Sequence, residues 1–319
     1  MSNKTVSFAF SFLRKGMRKN LSTMSDSYPT NLAGFGYGFN EDGELKQLDK
    51  ESGKLTDKGF EFVDQDHYEA LGEVITEHVY NLLEENGMHK VFINDDVPKE
   101  QSPFIFMSKK ELDHPKKLLV LIHGSGVVRA GQWARSLIIN QSLSHGTQIP
   151  YLEKARELNY DVLIANTNDN YRSINGVERQ IKGHGSPEEH GYSIWEKYVI
   201  ASNPESVGIV AHSYGGVVTL RLAKKYPKFF KEKVFAVGLT DSVHSRTSSQ
   251  DPDVFAHLKK IGRNWVTSNK PLNQCISESS NDIPQYSAGH VKHEWTSYSC
   301  ITALFDFFEE KYNEFLTKK

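Results

Sequence analysis

The sequence predicts an α/β fold, a mostly parallel sheet with helices on both faces, preceded by an N-terminal hairpin and helix. Three observations carry this. Strand-like runs alternate with helix-like segments over about 200 residues, the pattern of parallel strands joined by helical crossovers. Several of those runs are apolar without a break, Leu118 to Ile122, Val207 to Ala211 and Val234 to Leu239, as burial on both faces of a parallel sheet requires. The second of them stops abruptly at His212-Ser213-Tyr214-Gly215-Gly216, and a helix-compatible segment then runs from Val217 to Tyr226. The result is a strand, a sharp turn and a helix, with one serine held between small residues at 211 and 215.

In chain order, Phe35 to Asn40 and Leu45 to Leu48 flank Glu41-Asp42-Gly43-Glu44, a turn signal between two short runs, which predicts a hairpin. Asp66 to Glu85 carries Tyr68, Leu71, Val74, Ile75, Val79, Leu82 and Leu83 at three-and-four spacing before Gly87, an amphipathic helix with a glycine stop. Strands follow at Val91 to Ile93, Phe104 to Met107 and Leu118 to Ile122, helices at Gln132 to Ile139 and Pro150 to Leu158, and a strand at Asp161 to Ala165. Ser186-Pro187-Glu188-Glu189 combines a capping serine, a proline at the first helical position and a glutamate at the third, so a capping box opens the helix that runs to about Ala201. Beyond the serine turn come strand Val234 to Leu239, helix Val254 to Ile261, strands at Trp265 to Thr267 and Gln285 to Ser287, and a closing amphipathic helix, Thr296 to Leu316.

Composition bounds the partners. The chain has 319 residues, with 38 basic against 40 acidic, so nothing global draws it to nucleic acid or an anionic membrane. No apolar stretch approaches the roughly 18 residues of a membrane span. Only two cysteines occur, Cys275 and Cys300, at a spacing that fits neither a disulfide framework nor a zinc site. Residues 1–29 form a basic flexible tail with no acid before Asp26; its composition also suits a mitochondrial targeting peptide, the minor reading. Residues 30–319 read as one folded domain.

The serine turn resembles a nucleophile elbow, Gly-x-Ser-x-Gly with alanine in place of the first glycine. Alone, such a serine is as easily a helix cap. In open α/β sheets, however, working groups gather at the carboxyl ends of the strands, and there the partners are found. The strand at 118 to 122 ends in His123-Gly124-Ser125-Gly126, a glycine-rich turn whose N–H groups, with that of Tyr214, would form an oxyanion hole. The strand at 234 to 239 delivers Asp241. Downstream, His290 and His293 both offer an imidazole; His293 is preferred because it directly precedes the closing helix, where the histidine loop of hydrolases normally ends. The order Ser213, Asp241, His293 is that of an α/β-hydrolase triad. In many hydrolases the acid follows the next strand, but Ser268-Asn269-Lys270-Pro271 offers none there. Arg129 and His123 are candidate substrate contacts, with loop anchoring the plainer role for the arginine. His184, His190 and His212 match no usual zinc spacing, so neither metal nor cofactor is expected.

The segments His123 to Arg135, Gly185 to His190, Ala211 to Gly216 and Leu239 to His244, together with Ser287-Ala288-Gly289 and Tyr68 to Glu73, resemble the argonaute-binding-protein domain family, whose animal members are called cotranscriptional regulators. The resemblance spans about residue 30 to the C-terminus. It implies an α/β-hydrolase fold with Ser213 at the elbow, a role in nucleus and cytoplasm, and partners among Argonaute, chromatin and splicing-associated proteins, with no direct nucleic-acid contact. A related domain is appended to some fungal histone deacetylases. Two functions follow: an interaction module built on a hydrolase fold, or a working serine hydrolase acting on a small carboxylic ester or acyl substrate.

Overall fold

A computed structural model describes residues 28–318 apart from 95, 175, 246–251 and 280–281. The basic stretch read as a tail or targeting peptide lies, but for its last two residues, outside that range. Those two belong to the fold: Tyr28 stacks on Phe35 with ring centroids 6.2 Å apart, and Pro29 packs against Gly34.

The predicted hairpin forms from β1 (Tyr37–Phe39) and β2 (Leu45–Gln47). Helix α1 (Gln65–Glu85) follows, capped by Asp64, whose carboxylate accepts the His67 N–H at 2.7 Å. Its apolar stripe, Leu71, Ile75 and Val79, packs with Tyr37 and Leu45 of the hairpin and with Ile138 and Ile139, a small core beside the main one.

The main sheet contains β3 (His89–Phe92), β4 (Phe104–Met107), β5 (Leu118–Ile122), β6 (Asp161–Ile164), β9 (Val207–His212), β10 (Val234–Thr240), β11 (Gly262–Val266), β12 (Cys275–Ser277) and β13 (Gln285–Ser287). Their order across the sheet is β12-β13-β11-β10-β9-β5-β6-β4-β3. The six strands from β6 to β13 are parallel; β4 and β12 run against them, and the edge strand β3 pairs antiparallel with β4 and so runs with the six. The side-chain alternation of a strand explains the unbroken apolar runs: on β5, Leu119 and Leu121 enter one core while Leu118, Val120 and Ile122 enter the other.

Helices cover both faces. Between β5 and β6 lie α2 (Arg135–Asn140), α3 (Leu143–Gly146) and α4 (Ile149–Glu157); the helix expected from Gln132 to Ile139 forms as α2, starting three residues later. Helix α5 (Pro187–Ile194) continues as one π-helical stretch to Ile200. The elbow helix α6 (Tyr214–Lys225), α7 (Pro227–Lys233), α8 (Pro252–Ile261), α9 (Thr296–Ser299) and α10 (Ile301–Leu316) complete the layers. Gly208 on β9 and Gly238 on β10 let α10 lie close, because a Cβ at either position would run into Phe308. Among the described residues no helix is long and apolar enough to cross a membrane.

Five elements were not anticipated: α3, α7, β12, and the two strands of a hairpin, β7 (Tyr171–Ile174) and β8 (Val177–Gln180). The hairpin's strands bury no hydrophobic face, which is why no alternating pattern announced them. The capping box also differs in detail. Ser186 Oγ accepts the Glu189 N–H as expected, but Glu189 reaches back past it to the Gly185 N–H at 2.8 Å.

Candidate active site

Ser213 sits between β9 and α6 with φ 51° and ψ −117°, a conformation that side chains other than glycine avoid. Its neighbours enforce it. The Ser213 N–H donates to Thr240 O at 3.0 Å, and Ser213 O accepts the Val243 N–H at 3.3 Å, so the segment after β10 grips the elbow from both sides of the serine. The small residues are needed: a Cβ on Gly215 would lie 2.5 Å from Ile122 O and 2.8 Å from His123 O. Ser213 Oγ forms no hydrogen bond with another described residue, so it caps nothing.

Asp241 follows β10 with φ 45°. Its Oδ2 lies 2.6 Å from His293 Nδ1, and its Oδ1 accepts the Thr267 N–H at 3.1 Å. A carboxylate only accepts, so His293 carries its proton on Nδ1 and keeps Nε2 as a base. Burial works to raise the Asp241 carboxyl, but the His293 hydrogen bond, the Thr267 N–H and the nearby imidazoles outweigh it and leave the group below its ordinary value. Thus the acid from β10 reaches the histidine of the last loop, with no carboxylate needed after β11. His290 turns elsewhere: its ring stacks on Trp295 with centroids 4.7 Å apart and its Nδ1 accepts the Lys292 N–H.

His212 precedes the serine and is buried beneath His293, ring centroids 4.6 Å apart. Its Nδ1 bonds Thr240 Oγ1 at 3.1 Å, which in turn bonds Ser297 Oγ at 2.8 Å. Burial, reinforced by His293, holds the His212 imidazole down to about 3, so it stays neutral.

The glycine turn after β5 faces the serine, since a Cβ on Gly124 would lie 3.0 Å from Ser213 Cβ. The Gly124 carbonyl accepts from His123 Nδ1 at 2.8 Å and from Asn168 Nδ2 at 2.9 Å. A trans peptide then directs the Ser125 N–H to the opposite side. Gly126, at φ 107°, continues the turn, and Tyr214 is the first residue of α6.

The sequence offers His123 and Arg129 as candidates for substrate contact. The structure places His123 in the interior, 1% exposed, its imidazole lowered to about 4 chiefly by burial. Arg129 Nη1 donates to the carbonyls of Gly126, Val127 and Val128, which makes it an anchor of its own loop.

The asparagines after β6 were not singled out from sequence. Asn168 Nδ2 ties Gly124 O to Val128 O, Asn166 Oδ1 accepts the Ala130 N–H, and Asn170 Nδ2 holds the carbonyls of Thr167 and His184. Asn166, Asn168 and Asn170 stand at alternate positions just past a strand end, a signal that could have found them. His184 and His190 bond each other Nδ1 to Nδ1 at 3.1 Å, and His190 Nε2 accepts the Asn166 N–H at 3.3 Å. No group of metal-binding side chains is assembled among the described residues.

A serine in a strained strand-to-helix turn, a glycine loop facing it, and an acid–histidine pair from later strand ends define a protein of the α/β-hydrolase fold. The Arb2 domain family matches residues 28–272, and the chain belongs to it. The cotranscriptional regulator ARB2A homolog of Gallus gallus is 37% identical over 342 residues, covering 89% of this chain and 81% of that one. Human cotranscriptional regulator ARB2A is 36% identical with the same coverage, and the Dictyostelium discoideum homolog is 32% identical over 86% of this chain and 78% of its own. Among solved structures, the histone deacetylase Clr3 aligns at TM-score 0.48 and 14% identity over 80% of this chain and 42% of that one.

Proposed function

We propose that this chain is a cotranscriptional regulator acting in the nucleus and cytoplasm by holding Argonaute, chromatin or splicing-associated proteins, and that its α/β-hydrolase site retains serine chemistry. The regulatory role is supported by the relatives' names and by the family resemblance of its motifs. The chemistry is supported above all by the 2.6 Å contact between Asp241 and His293, made from two separate strand ends toward the strained serine.

The reaction would be acyl transfer from a carboxylic ester or similar acyl substrate. Ser213 Oγ attacks the carbonyl carbon as its proton passes to His293 Nε2, and Asp241 steadies the resulting imidazolium. The oxyanion is received by the N–H groups of Tyr214 and the Gly124 to Gly126 loop. Collapse expels the alkoxide, which takes the proton back from His293, and water releases the acyl group by the same steps in reverse roles. The Ser213 to His293 hydrogen bond forms as substrate closes the site, a tightening common to catalytic pairs.

A fluorophosphonate probe should label the wild-type protein and not Ser213→Ala. Folded wild-type protein that takes no label would sink the hydrolase reading. Purified chain should co-precipitate Argonaute or a chromatin factor from nuclear extract, with Ser213→Ala doing so equally; recovery of neither removes the regulatory partners named here.

A further inference from the structure

A second serine–histidine–aspartate array lies beside the first and shares no residue with it. His244 Nδ1 is 2.8 Å from Ser242 Oγ, and His244 Nε2 is 2.9 Å from Asp282 Oδ1. The His244 side chain is 1% exposed. Bond directions follow from the acceptors. Asp282 can only accept, so Nε2 carries the proton and Nδ1 accepts from the Ser242 hydroxyl, while Ser242 Oγ accepts the His244 backbone N–H at 3.3 Å. Asp282 Oδ1 also takes the Ile283 N–H at 2.8 Å, and its Oδ2 takes Gln285 Nε2 at 2.9 Å. Burial pushes the Asp282 carboxyl up, and these donors, His244 first, bring it below its ordinary value.

The array does not serve as a second nucleophilic centre. Ser242 Oγ is pressed onto α6, where any side chain on Gly216 would collide with it. Its position suggests a different use. Residues 240–244 form one short segment that grips both the elbow and the histidine: Thr240 O takes the Ser213 N–H, Asp241 Oδ2 takes His293, and Val243 N–H binds Ser213 O, while the Ser242 N–H donates to Asn264 Oδ1. Asp241 N–H donates to Trp265 O at 2.7 Å, which fixes the start of the segment. Its far end is fixed by His244 to Asp282, next to the first residue of the approach to β13.

We infer that Ser242, His244 and Asp282 form a latch that positions the catalytic acid and the elbow together, with His244 as the positioning residue. Without it, the segment keeps its bonds to Ser213, Asn264 and Trp265 but loses the buried side-chain tether at His244, and the positive φ of Asp241 is then opposed by fewer contacts. The effect on rate rests on the hydrolase reading; the effect on geometry does not.

Two measurements keep these apart. The first is the second-order rate of fluorophosphonate labelling at Ser213. His244→Ala and Asp282→Ala should slow it on the order of 10- to 100-fold, the scale of a small misplacement of reacting groups. Asp282→Asn, whose amide oxygen still accepts from His244 and Ile283, should stay within about 3-fold of wild type on the same scale. The second is the downfield proton resonance of His293 Nδ1–H, which reports its short bond to Asp241 whether or not Ser213 reacts. It should persist in Asp282→Asn and shift upfield or broaden in His244→Ala. If His244→Ala does not fold, Ser242→Ala, which keeps the segment's backbone, takes its place. Unchanged rate and resonance in the folded latch variants would overturn the inference, as would a probe adduct mapped to Ser242. A wild type that takes no label fails the hydrolase reading alone, and the resonance then decides the latch.

Discussion

Lowering the pH from 7 to 5.5 should destabilise this protein far more than its near-neutral charge suggests. His123, His190 and His212 are buried, and all three imidazoles are held below their ordinary value mainly by burial, His123 to about 4 and His212 to about 3. In the unfolded chain each returns to about 6.5. The folded pKa is depressed, so the stability these groups contribute is fully present above pH 6.5 and is lost as pH falls toward 4, where only the unfolded chain takes up protons. Each group then costs about 1.3 kcal/mol between pH 7 and 5.5, or about 4 kcal/mol for the three. Against a typical total of roughly 5–15 kcal/mol that is a large fraction. Urea unfolding followed by tryptophan fluorescence at the two pH values measures it. His190→Gln should reduce the pH-dependent loss by about one third, whatever it does to absolute stability. Equal stability at pH 7 and 5.5 would show that these imidazoles are not held neutral inside the fold, and would refute the account.

Asp241→Asn should keep the fold and lose the chemistry. The Thr267 N–H binds Oδ1, so the amide oxygen is held there and the amide N–H₂ faces His293 Nδ1, forcing the proton onto Nε2. Fluorophosphonate labelling should fall roughly 10³- to 10⁴-fold; a loss under tenfold would mean that the carboxylate does not set the tautomer. Gly215→Ala meets two backbone carbonyls that cannot move aside, and should cost at least about 1–3 kcal/mol in urea unfolding. A neutral result there would mean that the elbow is looser than its contacts indicate.

The fold was legible because its strands are buried on both faces and say so. Leu118–Ile122 appears with the expected bounds, and β9 and β10 depart from theirs by one residue. The candidate site was legible where a residue type is demanded by backbone shape or chemistry, as at Ser213, Gly124 and Asp241. His293 over His290 rested on position in the chain, and the contact with Asp241 favours the same choice. What sequence hid was the burial of polar groups. His123 and Arg129 look like ligand contacts in a loop, yet one is interior and the other bonds the loop's own carbonyls. His123 sits against Asn168, forty-five residues further on, and no local pattern encodes a partner at that distance.

Backbone strain separates the two functional readings better than fold does. Six non-glycine residues among those described have positive φ: His114, Asn159, Asn203, Ser213, Asp241 and Asn273. Three are asparagines, which tolerate the conformation through local hydrogen bonding, but Ser213 and Asp241 are the proposed nucleophile and acid. Such strain costs about 1–3 kcal/mol per residue and persists only where surrounding contacts enforce it. Here they do, through Thr240 O, the Val243 N–H, Trp265 O and the glycines that admit the close approach. A surface that only holds partners gains nothing from a serine at φ 51° and ψ −117°, since glycine would sit there at lower cost. The arrangement is accounted for if the site still presents Ser213 Oγ to an acyl carbon.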